Sequence, residues 1–585
     1  MNLKDIKSPA DIKSLGLSEL NDLAAQMRSA LLDKLSHHGG HIGPNLGMVE
    51  MTVALHYVFN SPIDKIVFDV SHQSYAHKML TGRVEAFLDA AHYDDVSGYT
   101  NPGESEHDFF TVGHTSTSVA LAGGLAVARD MRHEASNIIS VIGDGSLSGG
   151  EAFEGLDFGG TLKSNFIVIV NDNDMSIAEN HGGIYANLAE LRAGNGVAPT
   201  NLFTAMGYDY RYLNDGNDIM SLIKLFQSVK DTQHPVVLHI RTIKGMGYAP
   251  AEENKEMFHW NMPFDLATGQ VTVPMPSESY ASIFTSHMLD KMKQDHTVAV
   301  ITAGTPGVIG FTPDKRQQAG SQFIDVGIAE QDGVALASGM AKGGAKPCFG
   351  VVSSFIQRAY DQLSQDVAIN SNPVVLSVFA GSIMAMNDVT HLGWFDIALI
   401  ANIPGWVYIA PTNAEEYLAM LDWAMSQRVH PVAVRVPGGK VIHANEPVQT
   451  DYSDLNKFAM TRKGSKVAII GAGTFLQLAE QTADALAEHG IEATVINPRY
   501  LSGVDEAMLN NLLPDHSLVI TLEDGVISGG FGEKIAAFYG LTDMKVKCYG
   551  APSTFADRYN PRDFLRQCRL APDLLTEDIL AILAK

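Results

Sequence analysis

The sequence predicts an α/β protein of three successive domains, each built on a mostly parallel sheet. Three observations carry this prediction. Short β-branched runs such as "IISVI" (138–142) and "FIVIV" (166–170) are nearly free of polar residues, as strands buried on both faces of a parallel sheet must be. Segments of helical spacing separate these runs, as in Ala152, Phe153 and Leu156. The alternation restarts after two polar stretches, which gives domains over 1–270, 280–445 and 455–585.

In the first domain "LSELNDLAAQMRSALLDKLSHHGG" reads as a helix stopped by glycines, and "VEMTVALHYVFN" as a second helix. "DKIVFDVSH" and "PVVLHIRTI" (235–243) read as strands, and "HTSTSVALAGGLAVARDM" as a small-residue helix. The proline-containing stretch 267–279 reads as a linker. The second domain has strands in "TVAVITA", "QFIDVG", "PVVLSVFAG" and "VYIAP", with helices in "EQDGVALASGMAKGG" and "NAEEYLAMLDWAM". The third opens on "SKVAIIGAGTFLQLAEQTADALAEHG" and continues through "EATVINPRYL" and "SLVITLEDG". Its "GAGTFL" lacks the last glycine of a dinucleotide fingerprint, and "EATVINP" ends without the acid expected for ribose, so no nicotinamide site is read there.

Bulk properties narrow the function. The 585 residues carry a net charge of −25, which argues against a nucleic-acid-binding surface. Cys348, Cys548 and Cys568 have no metal-type spacing. The opening "MNLKDIKSPADIKSL" is charged throughout, unlike a signal peptide, and no apolar run nears the ~20 residues of a membrane span. These features predict a cytoplasmic enzyme or binding protein with no nucleic-acid or membrane partner.

The chemistry concentrates at 143–173, where two polar clusters each follow an apolar run. Asp144 follows the first run; Asn171, Asp172 and Asn173 follow the second. In one βαβ unit both clusters reach the same sheet edge, where open α/β folds bind ligands. Carboxylate, carboxamide and backbone carbonyl oxygens suit Mg²⁺ or Ca²⁺, and Mg²⁺ commonly bridges protein to phosphate. The plainer alternative is a capping aspartate and a turn.

The pair of clusters, "GDGSLSGGEAFEGLDFGG" and "NDNDMSIAEN", resembles the signature of thiamine-diphosphate (ThDP) enzymes. Within that group the sequence most resembles the 1-deoxy-D-xylulose-5-phosphate synthase family. The matching strings are "GGHIGPNLGMVEMTVALHYVF", "FDVSHQSYAHKMLTGR", "SGYTNPGESEHDFFTVGHTSTS", "KGMGYAPAE", "VGIAEQDGVALASGMA" and "FIQRAYDQLSQDVAI", in family order. The resemblance implies a transketolase-like fold, a homodimer, ThDP and Mg²⁺ as cofactors, and a cofactor site between the first two domains. The first domain would bind diphosphate and Mg²⁺, the second would carry the catalytic glutamate, and the third would be the C-terminal transketolase-like domain. The implied reaction is carboligation. Pyruvate loses CO₂ and its two-carbon remainder joins the aldehyde of D-glyceraldehyde 3-phosphate.

The same resemblance assigns roles residue by residue. Asp144, Asn173 and the Met175 carbonyl would hold Mg²⁺. His72, Gly113, His114, Thr115, Gly145, Ser146, Asn173, Tyr248, Glu330 and Phe355 would touch ThDP. Glu330 would exchange a proton with the aminopyrimidine ring, a task that burial aids by raising its pKa. His41, His72, His259 and His391 would move protons at the substrate oxygen. Arg358 and Arg435 would contact substrate.

Several departures fall on the acceptor side. The family's D-R-A-G string is replaced here by Phe379 and Ala380 with their neighbours, and its R-Y-P-R-G reads "RVPGG", which keeps Arg435 but puts Gly438 at the second arginine. Those arginines grip an acceptor phosphate in the family, a task for a planar bidentate cation. Arg358, Lys440 or His391 could substitute. Asn387 stands where an aspartate is expected, with Asp388 one place later, and Asp332 replaces a histidine after the glutamate motif. The segment after "SIAEN" is also short where the family has a long insertion. Two enzymatic readings therefore stand: the synthase with an altered acceptor pocket, or a transketolase-like two-carbon transferase with another donor or acceptor. Intact Glu330 and metal motifs speak against a third, a non-catalytic ThDP-binding scaffold.

Overall fold

The computed structural model describes residues 1–274 and 276–584; the stretch 267–279 read as a linker contains Met275, which lies outside the described residues. The chain divides into two compact units, Met1–Met275 with Gly327–Ala329, and Pro276–Val326 with Glu330–Lys585. The first unit holds strands β1 (Lys65–Phe68), β2 (Ile138–Gly143), β3 (Phe166–Asp172), β4 (Asp209–Leu213) and β5 (Pro235–Arg241). They form one parallel sheet in the order β1-β2-β3-β5-β4.

The uninterrupted apolar runs have a direct cause. Alternate side chains of a strand point to opposite faces. Ile139, Val141, Ile167 and Ile169 enter one core, with the helix Leu17–His38, while Ile138, Ile142, Phe166, Val168 and Val170 enter another, with the helix Ser118–Met131. Both faces are covered, so neither set can be polar. Gly143 pairs with Asn171 at the end of the β2–β3 ladder, which brings the two polar clusters to one edge.

The second unit contains two sheets. Strands β6 (Val298–Thr302), β7 (Phe323–Asp325), β8 (Lys346–Val352), β9 (Val375–Phe379), β10 (Val407–Ile409) and β11 (Val432–Arg435) pair in parallel in the order β10-β11-β9-β8-β6-β7. Strands β12 (Ala459–Arg462), β13 (Lys466–Gly471), β14 (Thr494–Asn497), β15 (His516–Val526) and β16 (Lys545–Ala551) follow in the order β12-β14-β13-β15-β16, with only β12 antiparallel. The two sheets share a continuous core, since Ile301, Phe349 and Leu376 of one cluster with Ala468, Ile470 and Val519 of the other. Among the described residues no helix is long and apolar enough to cross a membrane.

Candidate active site

In the first unit the ends of β1, β2 and β3 meet. Asp144, almost fully buried, accepts hydrogen bonds at Oδ2 from the Met175 amide (3.0 Å) and from Asn180 Nδ2 (2.7 Å). The Oδ1 atoms of Asn173 and Asn180 are buried and have no hydrogen-bond partner. The other two members of the Asn-Asp-Asn run have structural partners. Asn171 Oδ1 accepts from Thr242, and Asp172 takes both Arg192 Nη1 (2.9 and 2.7 Å) and His239 Nε2 (2.6 Å). Burial first, then repulsion by Asp172, pushes the Asp144 carboxyl up to about 7. A carboxylate beside two unpartnered amide oxygens is a hard, all-oxygen donor set, which fits Mg²⁺.

The neighbouring loops pack closely against one another. A Cβ on Gly145 would lie 2.8 Å from the Ser176 Cβ, and one on Gly149 would lie 2.1 Å from the Ser116 Oγ, so both backbones approach where only glycine fits. Ser116 Oγ donates to the Ser146 carbonyl (2.8 Å). Asp69, at the end of β1, accepts from the Ser116 and Ser118 amides (2.9 and 3.0 Å), which fixes the loop of Gly113, His114 and Thr115 beside Gly145 and Ser146. Lys244, not singled out from the sequence, is buried here and donates Nζ to the Ser176 carbonyl (2.6 Å); burial pulls its pKa down to about 7 against the pull of Asp144. Only the string "KGMGY" signalled it, through the wrong member.

Three histidines far apart in sequence converge. The His41 and His72 ring centroids are 4.7 Å apart, His72 and His259 5.1 Å, and His41 and His259 5.7 Å. Asn45 Nδ2 donates to the carbonyls of both His41 and His72 (2.8 and 2.7 Å), and Gly40 pairs with Asn261 through two backbone bonds (2.9 and 3.0 Å). Desolvation first, then Lys244, His72 and His41, holds His259 well below the ordinary histidine range, so it is neutral near pH 7. The short segment after β3 is an ordered helix, Gly183–Ala193, whose Tyr185 hydroxyl donates to the Gly145 carbonyl (3.1 Å) and whose Arg192 holds Asp172.

In the second unit Glu330 is the first residue of the helix Glu330–Lys342 and is 3% exposed. Burial raises its pKa; Arg358, with Nη1 3.5 Å from Oε2, opposes the rise. Phe355 meets His391 edge-on at 5.5 Å, and His391 Nδ1 lies 2.8 Å from Thr390 Oγ1 and 3.8 Å from Asp388.

Three of the sequence-predicted residues have partners within the protein that the sequence did not show. Tyr248 is a core residue. Its hydroxyl donates to the Leu266 carbonyl (3.0 Å) and its ring packs on Phe258 and Phe264. Arg435 is buried, its guanidinium held bidentately by Asp396 (2.7 and 3.0 Å) and by the Asp524 carbonyl (2.6 Å). Arg358 lies against Glu330, with Nη1 3.5 Å from Oε2. Of the two lost arginine positions, Phe379 is buried and packs edge-on against Phe284 at 5.3 Å, and Gly438 is closely approached by Ser382. A Cβ on Gly438 would come within 2.8 Å of the Ser382 Cβ.

Comparison with known proteins places these features. A model described as 1-deoxy-D-xylulose-5-phosphate synthase matches residues 3–198 and 194–242. The transketolase pyrimidine-binding domain matches 278–441 and the transketolase C-terminal domain 456–573. A 1-deoxy-D-xylulose-5-phosphate synthase of Pelotomaculum thermopropionicum is 36% identical over 99% of this chain and 96% of its own length. The chain belongs to the 1-deoxy-D-xylulose-5-phosphate synthase family. The synthase of Symbiobacterium thermophilum is 37% identical over all of this chain and 95% of its own. The transketolase of Campylobacter jejuni is 17% identical, with a TM-score of 0.44, over 97% of this chain and 100% of that one. The family is one of ThDP-dependent transferases with a transketolase-like fold, and the domain matches agree with it.

Proposed function

We propose that this chain decarboxylates pyruvate and joins the two-carbon remainder to D-glyceraldehyde 3-phosphate, giving 1-deoxy-D-xylulose 5-phosphate and CO₂. The observation that carries the reading is the oxygen cluster of Asp144, Asn173 and Asn180, converging from two parallel strand ends onto a site lined by glycine. Asp144, Asn173 and the Met175 carbonyl hold Mg²⁺. Gly113, His114, Thr115, Gly145, Ser146 and His72 line the diphosphate. Lys244 adds a positive charge close to Asp144 that a diphosphate would keep protonated. Bound ThDP would supply the carbon nucleophile and the electron sink.

The remaining chemistry belongs to the chain. Burial raises the pKa of the Glu330 carboxyl, a direction that favours proton exchange with a ring nitrogen. Phe355 offers a flat apolar face to the aminopyrimidine. His259, neutral, and its neighbours His41 and His72 donate hydrogen bonds to the substrate oxygen as charge develops there. His391 serves the acceptor side. The domains 1–270, 280–445 and 455–585 bind diphosphate and metal, bind pyrimidine, and complete the fold. The enzyme works as a cytoplasmic homodimer.

A second reading, a transketolase-like transferase with a different ketose donor or aldehyde acceptor, is favoured by one observation: Phe379 and Gly438 stand at the two positions where the family carries arginines, and Arg435 is engaged by Asp396. CO₂ release from pyruvate, with ThDP and Mg²⁺ added, separates the two. The synthase reading expects release that glyceraldehyde 3-phosphate accelerates and that Glu330→Gln abolishes. Full activity in Glu330→Gln would remove the catalytic assignment.

A further inference from the structure

The loop between β3 and the helix Gly183–Ala193 carries Asn173, Met175, Ser176 and Asn180, and it is tied down at several points. The Asp174 amide donates to Asp172 Oδ1 (3.0 Å), and Lys244 Nζ donates to the Ser176 carbonyl (2.6 Å). The Met175 amide and Asn180 Nδ2 both donate to Asp144 Oδ2 (3.0 and 2.7 Å). Past Asn180 the chain turns at Gly182, whose φ of 121° favours glycine, and the Tyr185 hydroxyl then donates to the Gly145 carbonyl (3.1 Å). Asn180 is thus held from both sides in sequence, with its amide nitrogen turned to Asp144.

That orientation decides what the other end of the amide can do. An ionised carboxylate only accepts hydrogen bonds, so it keeps the nitrogen toward itself and turns the oxygen elsewhere. Asn180 Oδ1 is buried and has no hydrogen-bond partner, and the same holds for Asn173 Oδ1 and Ser176 Oγ on the same loop. Folded proteins pair nearly all buried polar atoms, and an unpaired one marks a bound water, ion or ligand. Three of them between 173 and 180, on the loop that Asp144 holds, point to a ligand that brings protons or positive charge. Asp144 Oδ2 already accepts two bonds, which leaves Oδ1 as the atom to offer a cation. Mg²⁺ gives up its hydration reluctantly and keeps waters beside its protein and phosphate ligands. Such a water is a strong donor and needs an acceptor in a buried site.

We propose that Asn180 is a positioning residue of the metal centre: its Oδ1 accepts a hydrogen bond from a water that Mg²⁺ retains, while its Nδ2 keeps Asp144 turned toward the ion. This role rests on the reading of Asp144, Asn173 and the Met175 carbonyl as Mg²⁺ ligands, and it names a residue outside that set. An amide suits the task because it offers a donor and an acceptor at opposite ends without adding charge beside Asp144 and Asp172. The plainer role is that Asn180 only braces Asp144 through Nδ2, with its oxygen taking no part.

Metal binding, read without turnover, separates the two. Chelator-treated wild type and Asn180→Ala are titrated by calorimetry with Mg²⁺ and with Ca²⁺, each in the presence of ThDP. Groups that orient a metal's ligands and waters change affinity about 10- to 100-fold when removed, so Asn180→Ala should bind Mg²⁺ more weakly by that factor. Ca²⁺ accepts more ligands and a looser geometry, so its loss should be smaller and the Mg²⁺-to-Ca²⁺ affinity ratio should fall. Unchanged Mg²⁺ affinity overturns the proposal. An equal loss for both ions also overturns it, because bracing of Asp144 alone would act on either cation. Wild type provides a check that needs no variant: with Mn²⁺ in place of Mg²⁺ and ThDP bound, electron spin echo in D₂O should detect a water ligand. Its absence overturns the proposal. Wild type that binds no Mg²⁺ sinks this role and the metal assignment together. Wild type that binds Mg²⁺ and ThDP but leaves pyruvate untouched sinks the proposed reaction instead, while the two affinities still decide the role of Asn180.

Discussion

Asp144→Asn should stabilise the protein when metal and cofactor are removed, although it destroys the metal site. The Asp144 carboxyl is raised from 3.8 to about 7 by burial and by Asp172. At ~1.4 kcal/mol per pH unit, that shift sets roughly 4 kcal/mol against the ionised form in the folded state. The folded state binds this proton more tightly than the unfolded chain, so the associated stability is present below pH ~4 and is lost as pH rises to about 7. An asparagine has no charge to lose. Its advantage over wild type should therefore be near zero at pH 4 and grow to about 2–4 kcal/mol at pH 8, the lower figure allowing for amide hydrogen bonds that fit less well. Urea unfolding of protein dialysed against a chelator, at pH 5, 6, 7 and 8, reads this directly. Adding Mg²⁺ and ThDP should stabilise wild type alone, by ~2.7 kcal/mol at a hundredfold excess over Kd, and close the gap. If Asp144→Asn is less stable than wild type in the metal-free state at pH 8, or if the difference ignores pH, the picture of a strained, metal-seeking carboxylate is wrong.

Arg358→Met removes the charge that opposes burial at Glu330, so the Glu330 carboxyl, followed by NMR of isotope-labelled glutamate, should titrate at higher pH; no movement would show that Arg358 does not act on it. Tyr248→Phe should cost about 1 kcal/mol of stability through the lost bond to Leu266 and leave the ThDP dissociation constant within about twofold, whereas a large loss of ThDP affinity would return Tyr248 to the cofactor. Arg192→Met leaves the buried Asp172 with His239 alone; it should cost ~3–5 kcal/mol in chemical unfolding and weaken Mg²⁺ binding through the adjoining Asn173.

The fold was legible where burial on both faces forced apolar runs, as in β2, β3 and β5. It was not legible in β4, whose "DYRYL" is a half-exposed edge strand, nor in β8, where Pro347 and Gly350 interrupt the run. The meeting of Asp144 with the Asn173 region followed from parallel pairing alone, because one βαβ unit fixes it. The histidine cluster needed more. His41 and His259 are brought together by the Gly40–Asn261 bridge, a contact between residues more than two hundred positions apart that no local pattern encodes. The partner of Arg435 was hidden for a related reason: a motif match gives the residue but not its partner, and Asp396 lies 39 positions away. Tyr248 shows the same limit, since its string resembles the family while its hydroxyl serves Leu266. The support of the loop at 383–389 by Asp557, Arg558 and Tyr559 spans about 170 positions and was invisible for that reason.

The central claim is that the site described here joins a two-carbon unit from pyruvate to a phosphorylated aldehyde. NMR of isotopically labelled pyruvate incubated with the protein, Mg²⁺, ThDP and D-glyceraldehyde 3-phosphate tests it most directly. The account predicts label in 1-deoxy-D-xylulose 5-phosphate, formed with loss of CO₂. Pyruvate that remains untouched, while a ketose phosphate gives up two carbons to the same aldehyde, would contradict it.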